Sequence, residues 1–157
     1  MVRRTLAALL AALTALLTGC GPAAPALSQF QRLTLSLTGS MANIREYEVQ
    51  RTDDGAVLSL YDGWWDREDP NDRETYLARR ISGGEDLYQA VLDLLNECGV
   101  SGWDGFSESD PNVLDGESFS LAVELSPERT ITAHGSNAWP DGYHEFYQGL
   151  NALLDTP

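Results

Sequence analysis

The chain has 157 residues, 43% hydrophobic and 22% charged, with 24 Asp and Glu against 10 Arg and no Lys, for a formal net charge of −14. So acidic a protein is repelled by nucleic acid and by anionic lipid, which excludes both as direct partners of its surface. The length suits one domain with a sizeable core and is short for two.

Met1-Val2-Arg3-Arg4 gives a basic start, and the uncharged Leu, Ala and Thr run from Thr5 to Leu17 follows. That run falls short of the roughly 20 residues that a spanning helix needs, but it suits the core of a signal peptide. It ends in Leu17-Thr18-Gly19-Cys20, which resembles the lipobox of bacterial lipoproteins. The resemblance implies that residues 1–19 are a cleaved signal peptide. It also implies that Cys20 becomes the diacylglycerol-bearing mature N-terminus, and that the protein lies on the extracytoplasmic face of a cell membrane, held there by lipid. The alternative is an ordinary secretory signal with a chance Cys. One acyl chain binds a bilayer only marginally, whereas two or more anchor stably. Cys98 is then the single remaining thiol, so the mature domain has no intramolecular disulfide and must rely on its core. Cys98 ends an apolar helical stripe and is expected to be buried.

Residues 20–27 read as the lipidated Cys and a short Pro- and Ala-rich linker, and residues 28–157 as one domain. Phe30 to Thr38 alternates Leu33, Leu35 and Leu37 with Thr34, Ser36 and Thr38, the period of a half-buried strand. A second strand is expected over Arg45 to Arg51, with Tyr47 and Val49 inward. Asp53-Asp54-Gly55 supplies hairpin-turn chemistry before a third, Ala56 to Tyr61. The polar insert Asp62 to Asp72 follows and leads to a fourth strand, Glu74 to Ile81. Its clustered carboxylates would suit Ca2+ chemically, although their spacing fails the EF-hand pattern, so the expectation is no cofactor, with Ca2+ as the alternative. Within it, Trp64 and Trp65 are candidate ligand contacts, one ring folding onto the sheet and the other free to meet a sugar or a partner side chain.

Ser82-Gly83-Gly84-Glu85 matches a capping box. Leu87, Val91, Leu94, Leu95 and Cys98 then form one helical face, which Gly99 should terminate. Arg79 and Arg80 are expected to pair with nearby carboxylates. Trp103-Asp104-Gly105-Phe106 reads as a structural corner, and Ser107 to Pro111 as a loop. Phe119, Leu121, Val123 and Leu125 alternate with polar or small residues along the next strand. The turn Ser126-Pro127-Glu128-Arg129 returns the chain through Thr130 to His134, with His134 on the polar face. Asn137 and Trp139 mark the entry to a last helix, whose stripe is Tyr143, Phe146, Tyr147, Leu150, Leu153 and Leu154. His144 lies beside that stripe, and the two histidines share no face, which argues against zinc or His-based catalysis.

The expected fold is α+β, an antiparallel sheet of about six strands in the order ββββαββα, with two amphipathic helices on one face. Residues 82–154, with Trp-Asp-Gly-Phe, a hairpin, Asn-x-x-Pro and an aromatic helix, resemble small lipoproteins of Gram-positive anaerobes. That resemblance carries over no activity. Two functional readings follow. One is a membrane-anchored, noncatalytic binding or interaction module for an envelope protein or glycan, with Trp64, Trp65, Asn137 and Trp139 as contacts. The other is a carboxylate-dependent hydrolase of an envelope polymer, which needs two acids roughly 5 to 9.5 Å apart.

Overall fold

Leucines alternating with Thr and Ser give β1 (Arg32–Thr38) one apolar and one polar face, and this strand forms the middle of the sheet. The computed structural model describes residues 24–39, 43–64, 69, 72–113 and 116–155. On one side of β1 come β2 (Ile44–Thr52), β3 (Gly55–Gly63) and β4 (Leu77–Gly83), each antiparallel to its neighbour. On the other side, β6 (Ser118–Ser126) pairs antiparallel with β1, and β7 (Arg129–Ser136) antiparallel with β6. The edge is β5 (Phe106–Ser109), which runs parallel to β7 with Phe106 opposite Ala133, giving the order β4-β3-β2-β1-β6-β7-β5.

The fold is therefore α+β, but its sheet is mixed and has seven strands among the described residues, where about six antiparallel strands were expected. The difference is β5. Its four residues are too few to show a strand period, and only Phe106 among them is apolar. What makes it a strand lies outside it. Gly105 takes a positive φ of 79°, its N–H donates to the Thr132 carbonyl, and the Asp104 carboxylate accepts from the Thr132 N–H. That corner turns the chain alongside β7.

Helices α1 (Glu85–Glu97) and α2 (Tyr143–Asp155) cover the apolar face. Val91, Leu95, Phe146 and Leu150 meet Leu33, Tyr47, Leu121 and Ile131 in one continuous core. The opposite face is polar, and cross-strand register sets Glu46, Ser36, Ser120 and His134 in one row. Arg73, in a single 3-10 turn at Arg73–Tyr76, bridges Glu46 at 3.1 Å and Glu48 at 3.0 Å and lies over the Tyr61 ring. β4 thus begins at Leu77, later than Glu74. Arg79 pairs with Asp155 and Arg80 with Glu74, as the sequence implied.

The capping box does not form. Ser82 remains in β4 opposite Val57, and α1 starts from Gly84 with no side-chain cap. The approach is too close for a capping loop, since a Cβ on Gly55, where φ is 151°, would fall 2.2 Å from the Gly84 carbonyl carbon. At the other end Gly99 takes the expected left-handed conformation, φ 67°. Cys98 is half-buried, and burial, then Glu145 and Glu97, pushes its thiol pKa up.

The end of the expected linker is fastened down. Asn96 exchanges two hydrogen bonds with the Leu27 backbone, at 2.7 and 3.0 Å, and the Ser101 hydroxyl donates to the Pro25 carbonyl. Phe30 stacks on Tyr88 at 4.8 Å, and its N–H donates to the Tyr88 hydroxyl. No helix among the described residues is long and apolar enough to cross a membrane.

Candidate functional site

Of the four contact residues expected from sequence, Trp64, Asn137 and Trp139 are described, and only Trp139 lines the cleft set out below. Trp64 directly follows β3 and is 56% exposed. Trp65 lies outside the described residues, as do Cys20, Asp66 and Glu68. Asp62, which heads the acidic insert, is bound by Arg45 and Asn43, and no group of three metal-ligating side chains occurs among the described residues.

Asn137 turns out to shape the backbone. It adopts φ 54°, its side-chain oxygen accepts from the Glu117 N–H at 3.0 Å, and its own N–H donates to the Glu117 carbonyl at 2.9 Å. Only glycine fits opposite, because a Cβ on Gly116 would lie 1.6 Å from that oxygen. Beyond this clasp the chain folds back tightly, with the Ala138 carbonyl where a Cβ of Gly135 would be. The fold-back lays Trp139 on Phe119, 5.4 Å between centroids, and on Tyr143, 4.7 Å.

Trp139 forms one wall of a cleft of about 340 Å³. The end of β1 supplies Leu37 and Thr38, Asn43 lies just before β2 and Arg45 near its start, and α2 presents Tyr143, His144 and Tyr147, with Glu117 alongside. The spacing 143, 144, 147 brings consecutive turns of α2 to one side of the cleft. His144, expected beside the stripe, is exposed and lines it.

Arg45 is the cleft's fixed cation. Its Nε and Nη2 donate to Asp62 Oδ2 at 2.9 and 2.5 Å, and its Nη1 donates to the Tyr147 hydroxyl at 3.1 Å. The Asp62 hydrogen bond holds the guanidinium pKa above its usual range against the effect of burial. Burial pulls the Asp62 carboxyl upward, but hydrogen bonds from Arg45 and Asn43 and the Arg45 charge outweigh it, leaving the pKa below the ordinary 3.8. Asp62 is therefore an anion committed to positioning Arg45. Tyr47 extends the network behind the cleft by donating to Asn151 at 2.8 Å, while Asn151 donates to the Tyr147 carbonyl.

Tyr143 is the contrasting member. It is 3% exposed, and its hydroxyl has no hydrogen-bond partner among the described residues. Burial, then Tyr147 and Glu117, pushes its pKa above the usual tyrosine range, so the group is a neutral donor and acceptor. Leaving a buried hydroxyl unmatched costs about 1 to 3 kcal/mol, which a ligand reaching it would relieve.

The Asp62 shift has a testable sign. A carboxyl with a lower pKa in the folded protein stabilises the fold above its unfolded pKa, and that contribution vanishes as pH falls through the folded value. Asp62→Asn should therefore lower the urea midpoint at pH 6, and the gap from wild type should close below the ordinary value of 3.8. A gap unchanged at pH 2 would show that Asp62 acts through packing.

Sequence reasoning found Trp139 and missed Arg45, Asn43 and Tyr147 as a site. A readable signal existed: Arg45 shares its strand face with Tyr47 and Val49, so a charge was placed at an inward position. No protein-family model, curated protein or solved structure matches the chain.

Proposed function

We propose that the protein is a lipid-anchored, extracytoplasmic binding module whose ligand seat is the cleft between β1, β2 and α2. The observation that carries the binding half is the cleft, lined by a braced cation, by Trp139 and by Tyr143, whose hydroxyl is buried and unmatched. Placed polar groups beside aromatic side chains in a concave hollow are a usual constitution of a ligand pocket. The anchor half is supported by the basic start, the apolar run and Leu17-Thr18-Gly19-Cys20. The partner on this reading is an envelope protein or glycan, with the bilayer engaged through the lipid on Cys20. Exposed Trp64, with Trp65, is a secondary contact.

One experiment addresses both halves. The full chain, expressed in bacteria fed labelled fatty acid, should carry label and sediment with membranes, while Cys20→Ser should lose both properties. The labelled protein should recover a partner from envelope extract, and His144→Ala should lower that recovery more than Trp64→Ala does. An unlabelled wild-type chain would sink the anchor. Recovery unaffected by His144→Ala, but lost with Trp64→Ala, would move the seat to the acidic loop.

A further inference from the structure

We propose that the cleft holds one uncharged sugar ring of an envelope glycan. This rests on the cleft being the binding seat and goes on to name the chemistry of its occupant.

Charge balance comes first. Arg45 is neutralised by Asp62, and Glu117 adds a carboxylate alongside. An anion entering the cleft meets Glu117, while the Arg45 charge that would attract it is already paired with Asp62, and a cation meets Arg45, so either faces repulsion on one side. A neutral ligand with oxygens that donate and accept can satisfy both signs at once.

Hydrogen-bonding capacity points the same way. A guanidinium carries five N–H donors, and three contacts of Arg45 are engaged with Asp62 and Tyr147. The remaining N–H groups, on a side chain that is 43% exposed, are open to an acceptor in the cleft. The Tyr143 hydroxyl, buried and unmatched, can take or give one bond. Asn43, whose amide donates to Asp62, keeps a second amide hydrogen and its carbonyl oxygen. A vicinal pair of sugar hydroxyls matches such a mixed set, whereas an aliphatic or phenyl side chain from a protein partner would leave the Tyr143 hydroxyl unsatisfied.

Shape and apolar surface complete the argument. Trp139 and Tyr143 give the cleft an aromatic wall. A pyranose has C–H groups on its faces and hydroxyls at its edge, so one ring can lie on that wall while its edge reaches Arg45 and Asn43. About 340 Å³ is near the lower end of ligand pockets, which suits one ring more than a disaccharide.

The test titrates the full chain in detergent micelles with glucose, galactose and N-acetylglucosamine, and separately with sodium acetate and choline chloride. The readout is the Trp139 indole N–H signal in nitrogen-15 NMR. At least one sugar should shift it saturably, and the two salts should not. Tyr143→Phe should raise its thermal midpoint, because it removes a buried hydroxyl that has no partner in the free protein, and bind that sugar about tenfold more weakly, because the hydrogen bond made in the complex is lost. Asn43→Ala, a change in a partly exposed side chain, should weaken binding without unfolding the protein. A Trp139 signal unmoved by all three sugars, or full affinity in both variants, overturns the sugar. If acetate or choline saturates the signal instead, the cleft stands as the seat and the sugar fails. If no probe moves it and His144→Ala still recovers the envelope partner, both readings fail.

Discussion

A chain ending at Gly142 should not fold. It loses α2, and with it Tyr143, Phe146, Leu150 and Leu154, all buried in the main core. Each such side chain contributes about 1.5 to 3 kcal/mol by burial. Together they approach the roughly 5 to 15 kcal/mol by which a whole domain is stable. The loss extends further, because Tyr47 of the sheet would lose the Tyr147 ring set edge-on against it and its hydrogen bond to Asn151. The truncated chain should give a collapsed amide NMR spectrum and no cooperative urea transition. A dispersed spectrum would mean that α1 and the sheet suffice.

Phe119→Ala should be the most damaging single substitution near the cleft, costing about 3 to 5 kcal/mol. Phe119 is 1% exposed and touches Phe106, Trp139 and Tyr143, with centroids at 6.2, 5.4 and 4.6 Å. It is thus the common support for an edge strand, the Trp139 wall and the first turn of α2. The urea midpoint should fall by that amount, and the Trp139 indole signal should move toward its solvent-exposed position. Leu121→Ala, two residues along on the same face, serves as the control. It should lose about 2 to 5 kcal/mol and leave the Trp139 signal in place. Equal disturbance of Trp139 by both would show that the wall responds to general loosening.

The contrast between those two residues also shows what could be read from sequence. The strands β1, β2, β3, β6 and β7 and both helices follow from apolar periodicity, because one buried face leaves a regular mark. The strand β5 left none, as its existence depends on the Gly105 corner and on β7 already being in place. The capping box failed for a related reason. Ser82 has the right spacing to Glu85, but pairing with Val57 claims its backbone first. The cleft was half legible. Trp139 drew attention as a large ring at a strand-to-helix junction, and Asn137 beside it as a polar one. The distinction between them required geometry, since Asn137 spends its side chain on the Glu117 backbone. Arg45 and Tyr147, 102 positions apart in sequence, meet only when β2 and α2 pack.

The hydrogen bonds that Asn96 and Ser101 make to Leu27 and Pro25 bear on how the domain stands over a bilayer. With the proposed anchor at Cys20, the chain is captured against the C-terminal end of α1 and the turn at Val100–Trp103 within a few residues of the lipid. From Cys20 to Ala24 the reach is at most about 13 Å at roughly 3.3 Å per residue, compared with about 20 Å for an unfastened linker. On that proposal the C-terminal end of α1 is the part of the domain held nearest the lipid, and the tether limits how far from the bilayer a ligand is met.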